Sequence, residues 1–383
     1  MSKVAILRCE SYEYNLVKET LSKGFKLIGG IDQFCKPTDK LLLKPNLLIG
    51  DPPEKCTTTH PSVFKAAAEL FIDHGAQVSY GDSPSFGSCS AAAKKAGLGE
   101  VAEELNIPEA DFKNGEEIFF EKGIQNKKFT IAKGVLDSDV IISLPKLKTH
   151  ALEKMTGCIK NQFGCIPGFL KGEYHVKVPD SKDFGRMLVD LNNFVKPALY
   201  IMDGIMAMEG NGPRGGNPTP MNIILMSSDP IALDATVCRL VDINPEFVPT
   251  TVYGMETGAG TWKEDEIELL GDDFESFINK NFDIIRKAVK PYKTSGIMRF
   301  FNNRLVPKPV IDEKECVKCG VCVNMCPAQP KAVDWFRGKD HAPQYNYTDC
   351  IRCYCCQELC PDGVITLKAP FLRKFLNLFG RKK

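Results

Sequence analysis

The chain has 383 residues, of which 43% are hydrophobic and 25% charged, with a formal net charge of +1. That length supports two or three domains of ordinary soluble composition. The near-neutral balance argues against nucleic-acid binding, and no stretch approaches the ~18 apolar residues of a membrane-spanning helix.

The amino terminus, MSKVAILRCE, has too short an apolar run for a secretory leader, so a cytoplasmic location is expected. Residues 1–290 then alternate strand-like and helix-like stretches. VAILR reads as a strand, NLVKETLSKGFKLIG as a helix and KLLLKPNLL as a strand. PSVFKAAAELFIDHG predicts a helix started at Pro61–Ser62, QVSYGDSP a strand and turn, and SAAAKKAGLGEVAEEL a helix broken by its glycines. DSDVIISLPKLK, ALYIMDGIMAM and MNIILMSSD predict further strands. DPIALDATVCRLVDI predicts a helix with Asp229 as cap and Pro230 in its first turn. The alternation implies an α/β domain with a doubly wound, mostly parallel sheet, whose ligands bind beyond the carboxyl ends of the strands.

Polar residues fall at those ends. KLLLKPNLL carries Lys44 and Asn46, QVSYGDSP ends in Asp82 and Ser83, and VIISLP runs into Lys146, Lys148 and His150. ALYIMDGIMAMEGNGPRGG ends in Asp203, Glu209 and a glycine-rich loop with Arg214. His60, His150 and His175 are expected in these loops, His74 at a helix end and His341 on the surface. From Ser143 to Val178 six lysines face two acids, a net of +4, which suits a phosphate or carboxylate. A solvated basic loop is the competing reading. The loop EGNGPRGGNP has the form G-x-G-x-x-G, but Pro218, Pro220 and a strand follow where a dinucleotide site needs a helix. We read it as a turn that lets the backbone approach a ligand, with Arg214 as the charged contact. Cys158 and Cys165 read as ordinary free thiols.

Nine of the 16 cysteines crowd into residues 316–360, where a reducing compartment favours metal over disulfides. CVKCGVCVNMCP (316–327) and CIRCYCCQELCP (350–361) align without a gap as C-x-x-C-x-x-C-x-x-x-C-P. In such runs three thiolates wrap one cluster and the fourth, before proline, reaches the other. Cys316, Cys319, Cys322 and Cys360 are therefore expected to hold one [4Fe–4S] cluster, and Cys350, Cys353, Cys356 and Cys326 a second. Zinc knuckles would be spaced otherwise. Cys355 aligns with Val321 and reads as packing, and Tyr354, in the slot of Gly320, is expected to alter the local backbone or shielding. PKAVDWF and APQYNY predict a hairpin between the repeats, and DGVITL a further strand.

Residues 311–368 resemble a bacterial-type two-cluster ferredoxin, a small α+β domain. Segment 291–310 reads as a linker, and 369–383 as a basic amphipathic helix that docks within the chain or touches a membrane surface or partner. The series KPNLL, THP, GDSP, PKLKTH, TGCIKNQFG, KGEYH, MDG with EGNGPRGG, and SDPIALDA resembles the family called domain of unknown function 362, over about residues 35–290. The resemblance implies a pocket built from these loops and names no reaction. On it we expect His150, Lys146 and Lys148 as catalytic groups, and Lys44, Asn46, His60, Lys160, Asn161, His175 and Arg214 as cofactor-binding ones.

Two functions from different classes follow. One is a redox enzyme whose clusters exchange electrons with an anionic substrate or cofactor in the α/β domain, where a flavin or another organic cofactor would fit. The other is a non-catalytic electron carrier whose α/β domain docks a redox partner protein. A redox sensor is a third reading.

Overall fold

The computed structural model of the chain describes residues 1–168, 170–288 and 306–368. Most of the expected linker and the whole of the expected basic tail lie outside the described residues.

Eleven strands precede the cysteine-rich tail in the described residues: β1 Ser2–Arg8, β2 Lys40–Pro45, β3 Gln77–Tyr80, β4 Gly115–Phe119, β5 Lys128–Ala132, β6 Val140–Leu144, β7 Lys146–His150, β8 Lys154–Thr156, β9 Leu199–Glu209, β10 Asn217–Ser227 and β11 Ile267–Gly271. Nine of them form one sheet in the order β11-β1-β10-β9-β6-β2-β3, with β7 and β8 attached beside β9. Pairing is parallel along β9-β6-β2-β3, between β7 and β9 and between β1 and β11. It is antiparallel where β10 lies between β1 and β9. The sheet is mostly parallel, as the alternation predicts.

Strand periodicity explains why both faces are covered. Side chains along a strand alternate between faces. Ala5, Leu7, Leu41, Leu43, Ile142, Leu144, Ile224 and Met226 point to one face, under the helices Tyr14–Leu27 and Pro61–Asp73. Their neighbours Val4, Ile6, Ile223 and Leu225 pack against the helix Pro230–Leu240, and Leu42 and Ile141 against the helix Ser181–Val195. Each apolar run is thus divided between two cores, and almost every residue in it is sealed from water.

Local signals act where expected. Asp229 accepts from the backbone N–H groups of Ile231 and Ala232, capping the helix behind Pro230. The SAAAKKAGLGEVAEEL segment is two helices, Cys89–Lys95 and Leu98–Glu104, parted at Gly97, whose φ of 74° is left-handed. The helix Pro61–Asp73 is capped by His60, whose Nδ1 accepts from the Ser62 N–H at 3.1 Å.

The cysteine-rich tail begins with β12 Lys308–Ile311, inside the segment expected to be linker, which pairs antiparallel with β15 Ile365–Lys368. The hairpin of β13 Val333–Asp334 and β14 Gln344–Tyr345 lies between the repeats. Tyr354 does not alter the backbone: its φ is 63°, beside 76° at Gly320, so both repeats enter their helical turn through the same left-handed residue. A side chain there costs about 1–2 kcal/mol, and the Tyr354 hydroxyl offsets part of it by donating to the Pro307 carbonyl at 3.1 Å.

The glycine-rich loop between β9 and β10 approaches this tail, not a ligand. A Cβ on Gly215 would sit 2.7 Å from Gly363 Cα, so only two glycines permit the contact. Asn211 donates to the carbonyls of Gly363 and Ile365, and Gln357 donates back to the carbonyls of Asn211 and Gly212. Arg214 holds Asp51 through two bonds of 2.7 and 2.8 Å and donates to the Leu359 carbonyl at 2.9 Å.

Candidate functional site between the two domains

Pro145 separates β6 from β7, and the chain continues as strand past the point where a loop is expected. On β7 the residues Lys146, Lys148 and His150 recur at every second position and share a face. They are not a solvated loop: Lys146 and Lys148 are each 1% exposed. Lys146 Nζ pairs with Asp203 Oδ2 at 2.8 Å and donates to the Tyr12 hydroxyl at 2.8 Å. Tyr12 in turn donates to Asp203 and stacks on His60 at 3.5 Å between ring centres. This satisfied network ties β7 and β9 to the chain entering the first helix. Burial brings the His60 imidazole down to about 4.

Lys148 has a different environment. Its ammonium donates to Asn46 Oδ1 at 2.8 Å and to the Thr57 carbonyl, and no carboxylate pairs with it among the described residues. Burial, then the nearby charges of Lys160 and Lys146, bring it down to about 7. Asn46 passes the network to Asn161 at 3.1 Å, and Asn161 donates to the Ser143 hydroxyl at 2.9 Å. Lys44 is fully buried against Asp82 at 2.9 Å, and Asp82 also accepts from the backbone N–H groups of Leu47 and Ser83.

His150 reaches across to the tail. Its Nδ1 accepts from the N–H groups of Leu152 and Glu153, both at 3.1 Å, which leaves the proton on Nε2. Nε2 lies 2.7 Å from Glu358 Oε1, close enough for an ion pair but out of line for a well-formed hydrogen bond. Burial first, then Lys160, push the imidazole down to about 4. Burial opposes ionisation of Glu358, but His150 and Lys160 hold its carboxyl below the usual range. Glu153, whose carboxyl accepts from the Ser181 hydroxyl, is driven up to about 8 by burial.

Above these residues lies a cavity of about 520 Å³, with walls from both domains. The α/β side contributes Asn46, Ser83, Lys160, Asn161, Lys171 and His175 among others; the tail contributes Met325, Cys326, Cys355 and Glu358. The Lys160 ammonium makes no hydrogen bond or salt bridge among the described residues, and only its backbone carbonyl accepts, from Gln162. Lys171 donates to the Ser83 hydroxyl at 2.7 Å, and the Gly168 N–H donates to the same oxygen at 2.8 Å. That leaves the Ser83 proton free to point elsewhere. Burial lowers the Lys171 ammonium to about 8. His175 belongs to the helix Leu170–Lys177, not to a loop, and its ring stacks on Phe184 at 4.5 Å. Its Nδ1 is buried with no hydrogen-bond partner among the described residues, and burial lowers the imidazole to about 4.

The cysteines of the repeats line two further cavities. One is bounded by Cys316, Cys319, Cys322 and Cys360, the other by Cys326, Cys350, Cys353 and Cys356. Each draws three sulfurs from one repeat and the pre-proline sulfur from the other, a donor set of four soft thiolates that fits a [4Fe–4S] cube. Cys355 bounds neither and faces the interdomain cavity. Cys158 and Cys165 are free and buried, and burial raises the Cys165 thiol to about 12.

Four of the expected residues thus meet at the interdomain cavity: Asn46, Lys160, Asn161 and His175. Lys44, Lys148 and His150 stand behind it, Lys146 and His60 belong to the Tyr12 network, and Arg214 clamps the tail. The reading by strand ends missed Lys171, Glu153 and Glu358. A signal for Glu358 existed in the repeat alignment, which sets an acid opposite Asn324.

Residues 41–239 match the domain of unknown function DUF362. The chain belongs to that family. Residues 308–361 match a 4Fe-4S dicluster domain, so the tail is an iron–sulfur domain. A relative in Synechocystis sp. (strain ATCC 27184 / PCC 6803 / Kazusa), the thylakoid-associated protein sll1697, is 38% identical over 251 residues, which cover 65% of this chain and 78% of that protein. Among solved structures, the lactate racemase apoprotein from Thermoanaerobacterium thermosaccharolyticum aligns with a TM-score of 0.41 and 11% identity, over 63% of this chain and 57% of its own. No helix of the described residues is long and apolar enough to cross a membrane.

Proposed function

We propose that the protein is a cytoplasmic iron–sulfur oxidoreductase that binds an organic anion in the cavity between its domains. The observation that carries this reading is the shared wall: Lys160 and His175 face the same space as Cys326 and Glu358. Cys316, Cys319, Cys322 and Cys360 would hold one cluster, and Cys350, Cys353, Cys356 and Cys326 the other. When bound, such clusters supply or accept single electrons.

The chain's own residues do the rest. Lys160, whose ammonium makes no hydrogen bond or salt bridge among the described residues and whose charge also acts on Glu358, offsets the charge of a carboxylate or phosphate. Ser83, held through its oxygen by Lys171 and Gly168, offers a hydroxyl proton to the ligand. Asn46 and Asn161 are fixed by Lys148 and Ser143 and cannot swing away. Leu48, Phe163, Val176 and Met325 exclude water from the apolar part of the ligand. Nothing in this set recognises a flavin in particular.

Anaerobically purified protein should contain roughly eight iron atoms per chain. Organic acids and phosphate esters screened by thermal shift should then yield a ligand that stabilises wild-type protein and fails to stabilise Lys160→Ala. A Lys160→Ala variant that binds every ligand as wild type does would remove the cavity from the reading. The carrier alternative draws on Cys319, which is exposed. It gains if no small molecule binds and reduced protein passes electrons only to another protein.

A further inference from the structure

The two cysteine repeats share one motif but not one environment. In the first, Cys319 is exposed, and the exposed Lys318 spends its ammonium on the Asp340 carbonyl at 2.7 Å. In the second, every cysteine is buried, and the residue aligned with Lys318 is Arg352, only 2% exposed. Arg352 donates to the Cys350 carbonyl at 3.3 Å and stands 5.4 Å over the ring of Tyr347. Tyr347 stacks on Tyr345 at 5.5 Å between ring centres. The Tyr345 hydroxyl donates to Cys356 Sγ at 3.2 Å. No tyrosine hydroxyl bonds a first-repeat sulfur among the described residues.

Reduction of a cluster held by four thiolates adds one negative charge without making or breaking a bond. Burial opposes that charge, whereas a donor to a ligand sulfur and a nearby guanidinium favour it. The second repeat is buried and carries both compensating groups. We propose that Tyr345, braced by Tyr347 and Arg352, raises the reduction potential of the cluster at the second repeat. It acts through Cys356 and is a positioning residue, not a catalytic one. The proposal rests on the assignment of Cys356 as a ligand.

The test is a redox titration of the iron-loaded full-length protein, poised with dithionite and followed by electron paramagnetic resonance. Iron content is measured first. Wild-type protein with about eight irons upholds the ligand assignment; four or none would remove it and this proposal with it. In Tyr345→Phe one midpoint potential should fall and the other stay fixed, with iron content unchanged. Two unmoved potentials in a fully loaded variant overturn the proposal. If Tyr345→Phe loses iron, a 3-fluorotyrosine at this position keeps the ring and strengthens the donor. One potential should then rise, and no movement again overturns the proposal.

Discussion

His150 of the α/β domain meets Glu358 of the iron–sulfur domain at 2.7 Å, with both side chains buried. Two backbone N–H groups aim the histidine, and Glu358 closes the helical turn that carries Cys355 and Cys356. A strand end of one domain therefore sets the position of a cysteine loop in the other.

Glu358→Gln should weaken this seam. It keeps the shape and removes the charge facing the Nε2–H, so the expected loss is about 1–3 kcal/mol, the scale of leaving a buried polar group without its partner. Urea unfolding of the iron-loaded protein measures it, and an unchanged midpoint would make the contact incidental.

Gly164→Ala should be far more damaging than its size suggests. The new methyl would lie 1.8 Å from Asp82 Oδ1 and 2.8 Å from Lys44 Nζ. Separating that buried pair costs about 3–5 kcal/mol. Gly172→Ala, in the wall of the same cavity, meets nothing within 4 Å and serves as the control. It should be neutral or gain ~1 kcal/mol from helix propensity. Equal thermal midpoints for the two variants would contradict the packing described.

Lys148 predicts a pH dependence of stability. Its ammonium is lowered from 10.5 to about 7 in the folded protein. Between those values the unfolded chain binds a proton that the folded protein does not, so stability rises with pH through this window. Below 7 both forms hold the proton and the penalty is constant. Lys148→Met should therefore flatten the rise seen in wild type between pH 8 and 10, by up to ~1.4 kcal/mol per pH unit. Parallel stability curves for the two proteins would show that burial does not perturb Lys148.

Cys355→Val places in the second repeat the residue that the first carries at Val321. Cluster content should stay at roughly eight irons, whereas Cys353→Ala should lose about four. Iron and sulfide analysis decides, and loss of a cluster in Cys355→Val would make the ninth cysteine a ligand.

How far the sequence could be read depends on the range of each interaction. The strands and helices rest on local periodicity, and the cysteine frame on fixed spacing, so both were legible. The basic run after β6 was legible as a cluster of charges but not as a strand. Its burial depends on Asp203, Tyr12 and Asn46, which lie far away in the chain. Arg214 looked like a ligand contact because a glycine-rich loop admits close approach by any backbone. Only the fold reveals that the loop meets Gly363 and that Arg214 is spent on Asp51 and the Leu359 carbonyl. His175 looked like a loop residue, but it is held by Phe163 and Phe184 from other segments. Glu358 escaped notice because its meaning comes from His150, which no local pattern connects to it.

The pairing of Gln357 and Glu358 with the α/β domain has a further consequence. A motif repeated within one chain offers two equivalent faces, and either could turn toward the larger domain. Here the first repeat carries Val323 and Asn324 where the second carries Gln357 and Glu358. The amide and the acid work as an address, legible only to Asn211, Gly212 and His150. Exchanging these two dipeptides between the repeats would take both contacts out of the seam and leave Arg214, Asn211 and Gly215 to hold the tail, with the cysteines in either repeat left untouched.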